Sequence, residues 1–152
     1  MKIKMKVKMK IIPLALALLA GLEIFGGAAF AAEKNWPVKI TAGEKVLTAA
    51  VFDSRAGRDF LSLLPLRAAL WEPADFAKAF DLERRLSNNE EVTRSYEVGG
   101  LAYWPEGPAM AIFFSGHRAQ TVVPVITIGK ITEGAEMFKD YSGEILIERN
   151  FE

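Results

Sequence analysis

The sequence lacks cysteine, contains a single histidine, and has no apolar run longer than twelve residues. Without cysteine the protein can form neither a disulfide nor a thiolate metal site, and it has no thiol nucleophile. A run of twelve is also too short for a membrane-spanning helix, which needs roughly 20 apolar residues. The ordered part of the chain therefore depends on its hydrophobic core for stability.

The start of the chain has the three parts of an export signal. Five lysines precede residue 11, residues 11–22 form the apolar run, and alanines stand at the −3 and −1 positions of a cut after Ala31. We predict that residues 1–31 are a secretory signal peptide and that residues 32–152 form one exported domain, periplasmic or secreted, without a stable membrane span after cleavage. The alternatives are an uncleaved signal that anchors the protein, and an amphipathic strand at the lysine-rich start.

The charge balance argues against nucleic acid as a partner. The chain has 19 basic and 19 acidic side chains, and removal of residues 1–31 leaves 14 basic and 18 acidic ones, a net charge of −4. Nucleic-acid phosphates require clustered lysine and arginine. We expect no metal, because the single histidine has no partner ligands at a suitable spacing. We expect no cofactor, because the isolated pair Gly99-Gly100 is not a nucleotide-binding glycine loop.

After residue 31 the sequence has mostly the pattern of β-strands. Residues 38–52 alternate around a Gly-containing turn and predict a hairpin. Asp53 or Ser54 can cap a short helix that buries Phe60 and ends before Pro65. We expect this helix to close one mouth of a β-barrel.

The rest of the chain predicts further strands and one irregular stretch. Alternating or continuously apolar character predicts strands at residues 66–71, 100–104, 109–114, 122–128 and 144–148. We expect Pro73 to end the first of these strands. For residues 73–99 we expect an insertion over the barrel with a helical turn at Phe76 and Phe80, and a second helical turn near residues 135–138.

Several motifs resemble those of a known family of β-barrels. Gly57-Arg58-Asp59-Phe60 is followed by Leu63-Leu64-Pro65-Leu66, then by the hairpin sequence Tyr103-Trp104-Pro105, then by Gly129-Lys130-Ile131. In this order they resemble the small bacterial cyclophilin-like family over most of residues 36–149. The resemblance implies a mainly β fold, a closed cyclophilin-like β-barrel with one or two short helices, and a groove on its surface.

The resemblance also limits the chemistry. Cyclophilin isomerases carry their activity on a Phe-His-Arg segment and a Gln-Gly-Gly-Asp segment, and neither has a clear counterpart here. We therefore predict a protein that binds a small molecule or a peptide segment in a shallow groove, without established catalysis. The alternative is a peptidyl-prolyl cis-trans isomerase acting on exported proteins, in which Arg85 or Arg118 would face Phe113 and contact the twisted prolyl amide.

Five residues are candidates for lining the groove. Tyr103 and Phe113 belong to an aromatic hairpin, and aromatic-lined concavities commonly hold apolar or proline-containing ligands. His117 and Arg118 lie in a polar loop between apolar segments, where a histidine can donate or accept a proton near neutral pH. Arg85 offers a further positive charge. The alternative is a core position for the aromatic residues and a solvated surface for the other three.

Overall fold

The computed structural model describes residues 34–151, which contain nine strands, one α-helix and one 3₁₀-helix. The predicted signal peptide lies outside the described residues. The strands are β1 (Asn35–Ala42), β2 (Lys45–Phe52), β3 (Leu66–Ala69), β4 (Trp71–Ala74), β5 (Ala77–Asp81), β6 (Gly100–Trp104), β7 (Ala109–Phe113), β8 (Ile126–Ile131) and β9 (Glu144–Arg149). The helices are α1 (Arg55–Leu61) and the 3₁₀-helix Ala135–Lys139. In this range no helix has the length and hydropathy of a membrane span.

All the strands belong to one antiparallel sheet. Their order is β3-β9-β1-β2-β8-β6-β7-β5-β4. Strand β3, at one end of this order, contacts β5 near the other end. The sheet therefore curls into a nearly closed barrel, which confirms the predicted mainly β class.

The barrel interior is filled by every second side chain of its strands. On β1 the side chains of Val38, Ile40 and Ala42 are fully buried, whereas the residues between them are half-buried. This alternation is the period of a strand with one face on a core. Large residues from the other elements complete the interior cluster, among them Phe60, Leu101, Tyr103, Ile112, Ile128, Phe138 and Ile147.

Helix α1 forms where the capping residue and Phe60 predicted it, and it packs tightly against strand β2. Ser54 is the N-cap, and its Oγ accepts a hydrogen bond from the backbone N–H of Gly57 at 3.0 Å. A Cβ atom at Gly57 would collide with the carbonyl oxygen of Phe52 in β2. Phe60 is 1% exposed and lies in the interior cluster. The glycine of the first motif is therefore required by the close approach of helix and strand.

The Gly129-Lys130-Ile131 motif has the same physical basis as the glycine of the first motif. Gly129 lies in β8 opposite Val51 of β2, and a Cβ atom there would collide with the carbonyl oxygen of Ala50. Glycine allows β2 and β8 to approach beside the helix. Both motifs therefore mark points of close backbone packing in the wall of the barrel.

Two of our expectations about strands are wrong. Pro73 does not end a strand but lies within β4, the edge of the sheet, where the register of β4 against β5 is irregular and a missing N–H costs no ladder bond. Residues 77–81 form β5 rather than part of an insertion. Buried and exposed residues do not alternate in this strand, because Ala77, Lys78, Ala79 and Phe80 are all buried. Phe80 points into the barrel, so its spacing from Phe76 does not reflect a helical turn.

A third expectation is shifted along the chain. Strand β8 begins at Ile126 instead of residue 122 and continues through Gly129 to Ile131. Val122 is 67% exposed and precedes Pro124, in a loop rather than in the sheet. This loop covers part of the outer face of the barrel, where the candidate site lies.

Candidate functional site

A second apolar cluster lies on the outer face of the barrel, separate from the interior core. Its fully buried members are Phe76, Ala77, Ala102, Phe113 and Val125, with Ala74, Tyr96, Trp104, Ala111 and Val123 packed against them. Their neighbours along the same strands, such as Phe80, Tyr103 and Ile112, belong to the interior. Because side chains alternate along a strand, the members of the second cluster on β5, β6 and β7 face outward.

Small side chains form the floor of a concavity on this outer face. Trp71 of β4 pairs with Ala79 of β5, Ala79 pairs with Ala111 of β7, and Ala111 pairs with Ala102 of β6. Alanines at alternate positions of β5 and β7 line a cavity of about 320 Å³, and every residue that lines it is uncharged. We call this cavity the alanine groove. Its lining residues are Trp71, Pro73, Ala74, Phe76, Ala77, Ala79, Trp104, Ala109, Met110, Ala111, Phe113, Thr121, Val122, Val123 and Val125.

Aromatic rings stand at both ends of the alanine groove. At one end Phe76 stacks on Phe113, with ring centroids 5.9 Å apart and planes 7° from parallel, and Tyr96 packs 4.7 Å from Phe113. At the other end lie Trp71 and Trp104, and the Nε1–H of Trp71 donates a hydrogen bond to Asp81 at 3.1 Å. The rings are therefore held in place by packing and hydrogen bonding.

A charged network lies next to the phenylalanine end. The Nε and Nη2 groups of Arg118 donate to the two carboxylate oxygens of Asp75 at 3.2 and 3.0 Å. The Nε2 atom of His117 lies 3.3 Å from the same carboxylate, and its Nδ1 atom lies 2.7 Å from the hydroxyl of Ser115. Hydrogen bonding by Arg118 is the largest cause that lowers the pKa of Asp75, and His117 adds to it.

Solvent exposure limits what this network can do chemically. The side chains of Asp75, His117 and Arg118 are 57%, 48% and 57% exposed. A hydrolytic site depends on donors preorganised where water is excluded, because electrostatic interactions are then strong. We therefore interpret the contacts among Ser115, His117 and Asp75 as hydrogen bonds that hold an exposed loop in place and keep Arg118 at the rim of the groove.

A second cavity adjoins the alanine groove. It has a volume of about 560 Å³, includes Asp75, Arg94 and Arg118 in its lining, and shares Ala74, Phe76, Thr121 and Val122 with the groove. We call it the polar cavity. The Nε and Nη2 groups of Arg94 donate to the carbonyl oxygen of Thr121 at 3.1 and 2.9 Å, and Nη2 also donates to the carbonyl oxygen of Val122 at 3.1 Å.

The five residues predicted for the groove occupy three separate places. Phe113 lines the alanine groove, and His117 and Arg118 form the network at its rim. Tyr103 lies in the barrel interior, where its hydroxyl accepts a hydrogen bond from the backbone N–H of Leu86 at 3.0 Å. Arg85 is exposed and donates to the backbone carbonyl of Pro105. The structure thus brings three of the five together.

Sequence reasoning missed Trp71, Phe76, Arg94 and the alanine floor. A signal for the floor was present, because Ala77 and Ala79 in β5, and Ala109 and Ala111 in β7, recur at the two-residue period of a strand face. Alternate alanines on apolar strands indicate a face with little volume. The positions of Trp71 and Arg94 follow only from strand register and loop packing, which the sequence did not reveal.

Comparison with known proteins places this barrel. The sequence model of the cyclophilin-like family matches residues 40–148, and the chain belongs to that family. This confirms the resemblance inferred from the motifs. A comparison with curated proteins found no match.

Two solved structures share the fold. The solution structure of a hypothetical protein from Archaeoglobus fulgidus is 18% identical with a TM-score of 0.62, and the match covers 76% of this chain and 95% of that one. The structure of McbB in complex with tryptophan is 11% identical with a TM-score of 0.58, and the match covers 76% of this chain and 45% of that one. At such low identity the likeness concerns the fold alone.

Proposed function

We propose that the protein binds an apolar group of a small molecule or peptide segment in the alanine groove, without catalysing a reaction. The observation that carries this proposal is the groove itself, an uncharged cavity of about 320 Å³ with an alanine floor and aromatic ends. Ligand sites are typically concave and mostly apolar, with few polar groups. McbB, which shares the fold over 45% of its own chain, was solved in complex with tryptophan.

The exposure of the groove residues supports a ligand of apolar or aromatic character. Trp71 is 41% exposed and Val122 is 67% exposed, although both border a cavity with no charged lining. Covering such surface removes apolar area from water, which is favourable. A charged group placed deep in the same groove would lose its hydration without gaining a partner.

The positions of the arginines support binding over prolyl isomerisation. Isomerisation would need a guanidinium beside the aromatic pocket to contact the twisted amide. Neither arginine predicted for that contact lines the alanine groove, since Arg118 is paired with Asp75 and Arg85 contacts Pro105. Arg94, in the adjoining cavity, already donates to the backbone carbonyls of Thr121 and Val122. We therefore do not advance isomerase activity as a function.

We also propose that the domain acts after export. This proposal rests on the lysine-rich start, the apolar run and the small residues before Ala32. Mass spectrometry of protein recovered from the exported fraction should give an N-terminus near Ala32. An intact mass that includes residues 1–31, in a membrane fraction resistant to alkaline extraction, would contradict it.

Binding in the groove can be tested through the indole N–H resonances of ¹⁵N-labelled protein. The chain has three tryptophans, of which Trp71 and Trp104 border the alanine groove and Trp36 packs against the interior cluster. Titration with the neutral probe N-acetylphenylalaninamide should shift the resonances of Trp71 and Trp104 and leave that of Trp36 unchanged. Tryptophan-to-phenylalanine variants assign the three signals.

A blocking variant makes the same test site-specific. Ala111 lies at the centre of the floor and is half-buried, so Ala111→Leu places a larger side chain in the cavity and should abolish the shifts. The matched control is Ala69→Leu on the exposed side of β3, which should bind the probe like wild type. Unchanged Trp71 and Trp104 signals in wild-type protein at saturating probe would reject the proposed function.

A further inference from the structure

Arg94 differs from the other arginine that lines the polar cavity. Arg118 is neutralised by a two-point contact with Asp75. Arg94 has no ion pair with a carboxylate among residues 34–151, and its hydrogen-bond partners are the backbone carbonyls of Thr121 and Val122. The charged lining of the polar cavity therefore comprises two guanidinium groups and one carboxylate, a net charge of +1.

The hydrogen bonds of Arg94 also fix its orientation. They use Nε and Nη2, and the Nη1 group makes no hydrogen bond within the described part of the chain. A guanidinium held in this way has already lost much of its side-chain freedom, so a ligand that binds it pays less of that entropy. The free N–H groups suit a carboxylate, because charge-assisted hydrogen bonds are about twice as strong as neutral ones.

The two cavities are adjacent on the same side of the barrel. They share Phe76, Thr121 and Val122, and Thr121 and Val122 supply the carbonyls that hold Arg94. The cation therefore adjoins the phenylalanine end of an uncharged groove. This arrangement favours a ligand with an apolar body and an anionic group close to it.

We propose that the ligand carries a carboxylate, which Arg94 binds in the polar cavity while the apolar group lies in the alanine groove. The proposal rests on the proposed function and names its ligand class. Two sources have this chemistry, a small apolar carboxylic acid and the C-terminal residue of a peptide.

The test compares two probes that differ only at the carboxylate, N-acetylphenylalanine and N-acetylphenylalaninamide, by titration of the Trp71 and Trp104 resonances. In wild-type protein the acid should bind about 2- to 5-fold tighter than the amide, as expected for a partly exposed ion pair. In Arg94→Gln the ratio should fall to about 1, because the charged partner is gone, while the affinity for the amide stays the same. Arg85→Gln removes an arginine that lines neither cavity and should retain the wild-type ratio.

The outcomes separate this inference from the proposed function. Failure of both probes to bind rejects the proposed function. Equal binding of acid and amide to wild-type protein rejects only the carboxylate inference. An equal loss of both affinities in Arg94→Gln also rejects it, since Arg94 would then act only by holding Thr121 and Val122. With the preference established, tighter binding of acetyl-Ala-Ala-Phe than of the acid identifies a peptide terminus, and equal or weaker binding identifies a small acid.

Discussion

The barrel interior and the alanine groove are opposite faces of the same strands, and they differ in volume rather than in polarity. Strand β7 turns Met110 and Ile112 inward and Ala111 outward. Strand β5 turns Phe80 inward and Ala79 toward the groove. Both faces are apolar, but large side chains fill one, and alanines leave about 320 Å³ open on the other.

The difference shows how one apolar sequence can encode both a core and a site. A protein interior is packed at close to crystal density, and each buried group there contributes to stability. An outer face with alanine at every second position of adjacent strands leaves open volume above the sheet, however apolar it is. We expect substitutions on the inner face to change the free energy of unfolding, and substitutions on the outer face to change binding.

The largest expected effect is on the inner face, at the helix that packs against the wall. Phe60→Ala should lower the free energy of unfolding by about 3–5 kcal/mol, because Phe60 is fully buried and its loss leaves a cavity. Arg58→Ala removes only an exposed ion pair with Asp53 and should cost less than about 1 kcal/mol. Equal and small losses for both variants in urea unfolding would mean that the helix does not pack as described.

The same substitution on the two faces gives the most direct comparison. Ala56→Leu enlarges a fully buried residue of α1 and should destabilise the protein by about 1–3 kcal/mol through overpacking. Ala111→Leu extends into the groove and should change the free energy of unfolding by no more than about 0.5 kcal/mol. Urea unfolding of both variants measures the difference. A loss at Ala111 as large as that at Ala56 would show that the groove is packed rather than open.

The smallest expected effect concerns the ion pair between Asp75 and Arg118 at the groove rim. Arg118 lowers the folded-state pKa of Asp75 below its ordinary value of 3.8, so the carboxylate stabilises the folded protein above that value. The contribution is lost as pH falls through the lowered folded-state pKa. Asp75→Asn should therefore lower the urea midpoint slightly at about pH 7, and by progressively less as the pH falls below 3.8. A difference that grows toward acid would contradict the assigned sign.

The sequence predicted the barrel wall better than it predicted the site. The first hairpin and the capped helix with Phe60 follow from local pattern, and the structure agrees with them. Strand β5 was not predicted, because both of its faces are buried and its polar and apolar residues do not alternate regularly.

Predictions for the site depended on strand phase and on loop packing. Phe113 and Tyr103 are both aromatic residues of one hairpin, yet one faces the groove and the other the interior. The direction that each residue faces depends on which alternate positions of its strand point inward, and the sequence did not predict this. Arg94 reaches the site only because its loop packs against residues 121–122, a contact between segments about 27 residues apart.

The bonding of the two loops beside the groove has a kinetic consequence. The hydroxyl of Tyr96 donates to the carbonyl of Arg118 at 2.9 Å and accepts from its N–H at 3.2 Å, and Arg94 binds the carbonyls of Thr121 and Val122. These bonds hold the two loops in place before a ligand arrives. For the proposed ligand we therefore expect association without a conformational step, at a rate set by diffusion and orientation. Ligands of different affinity will therefore differ mainly in how long they remain bound.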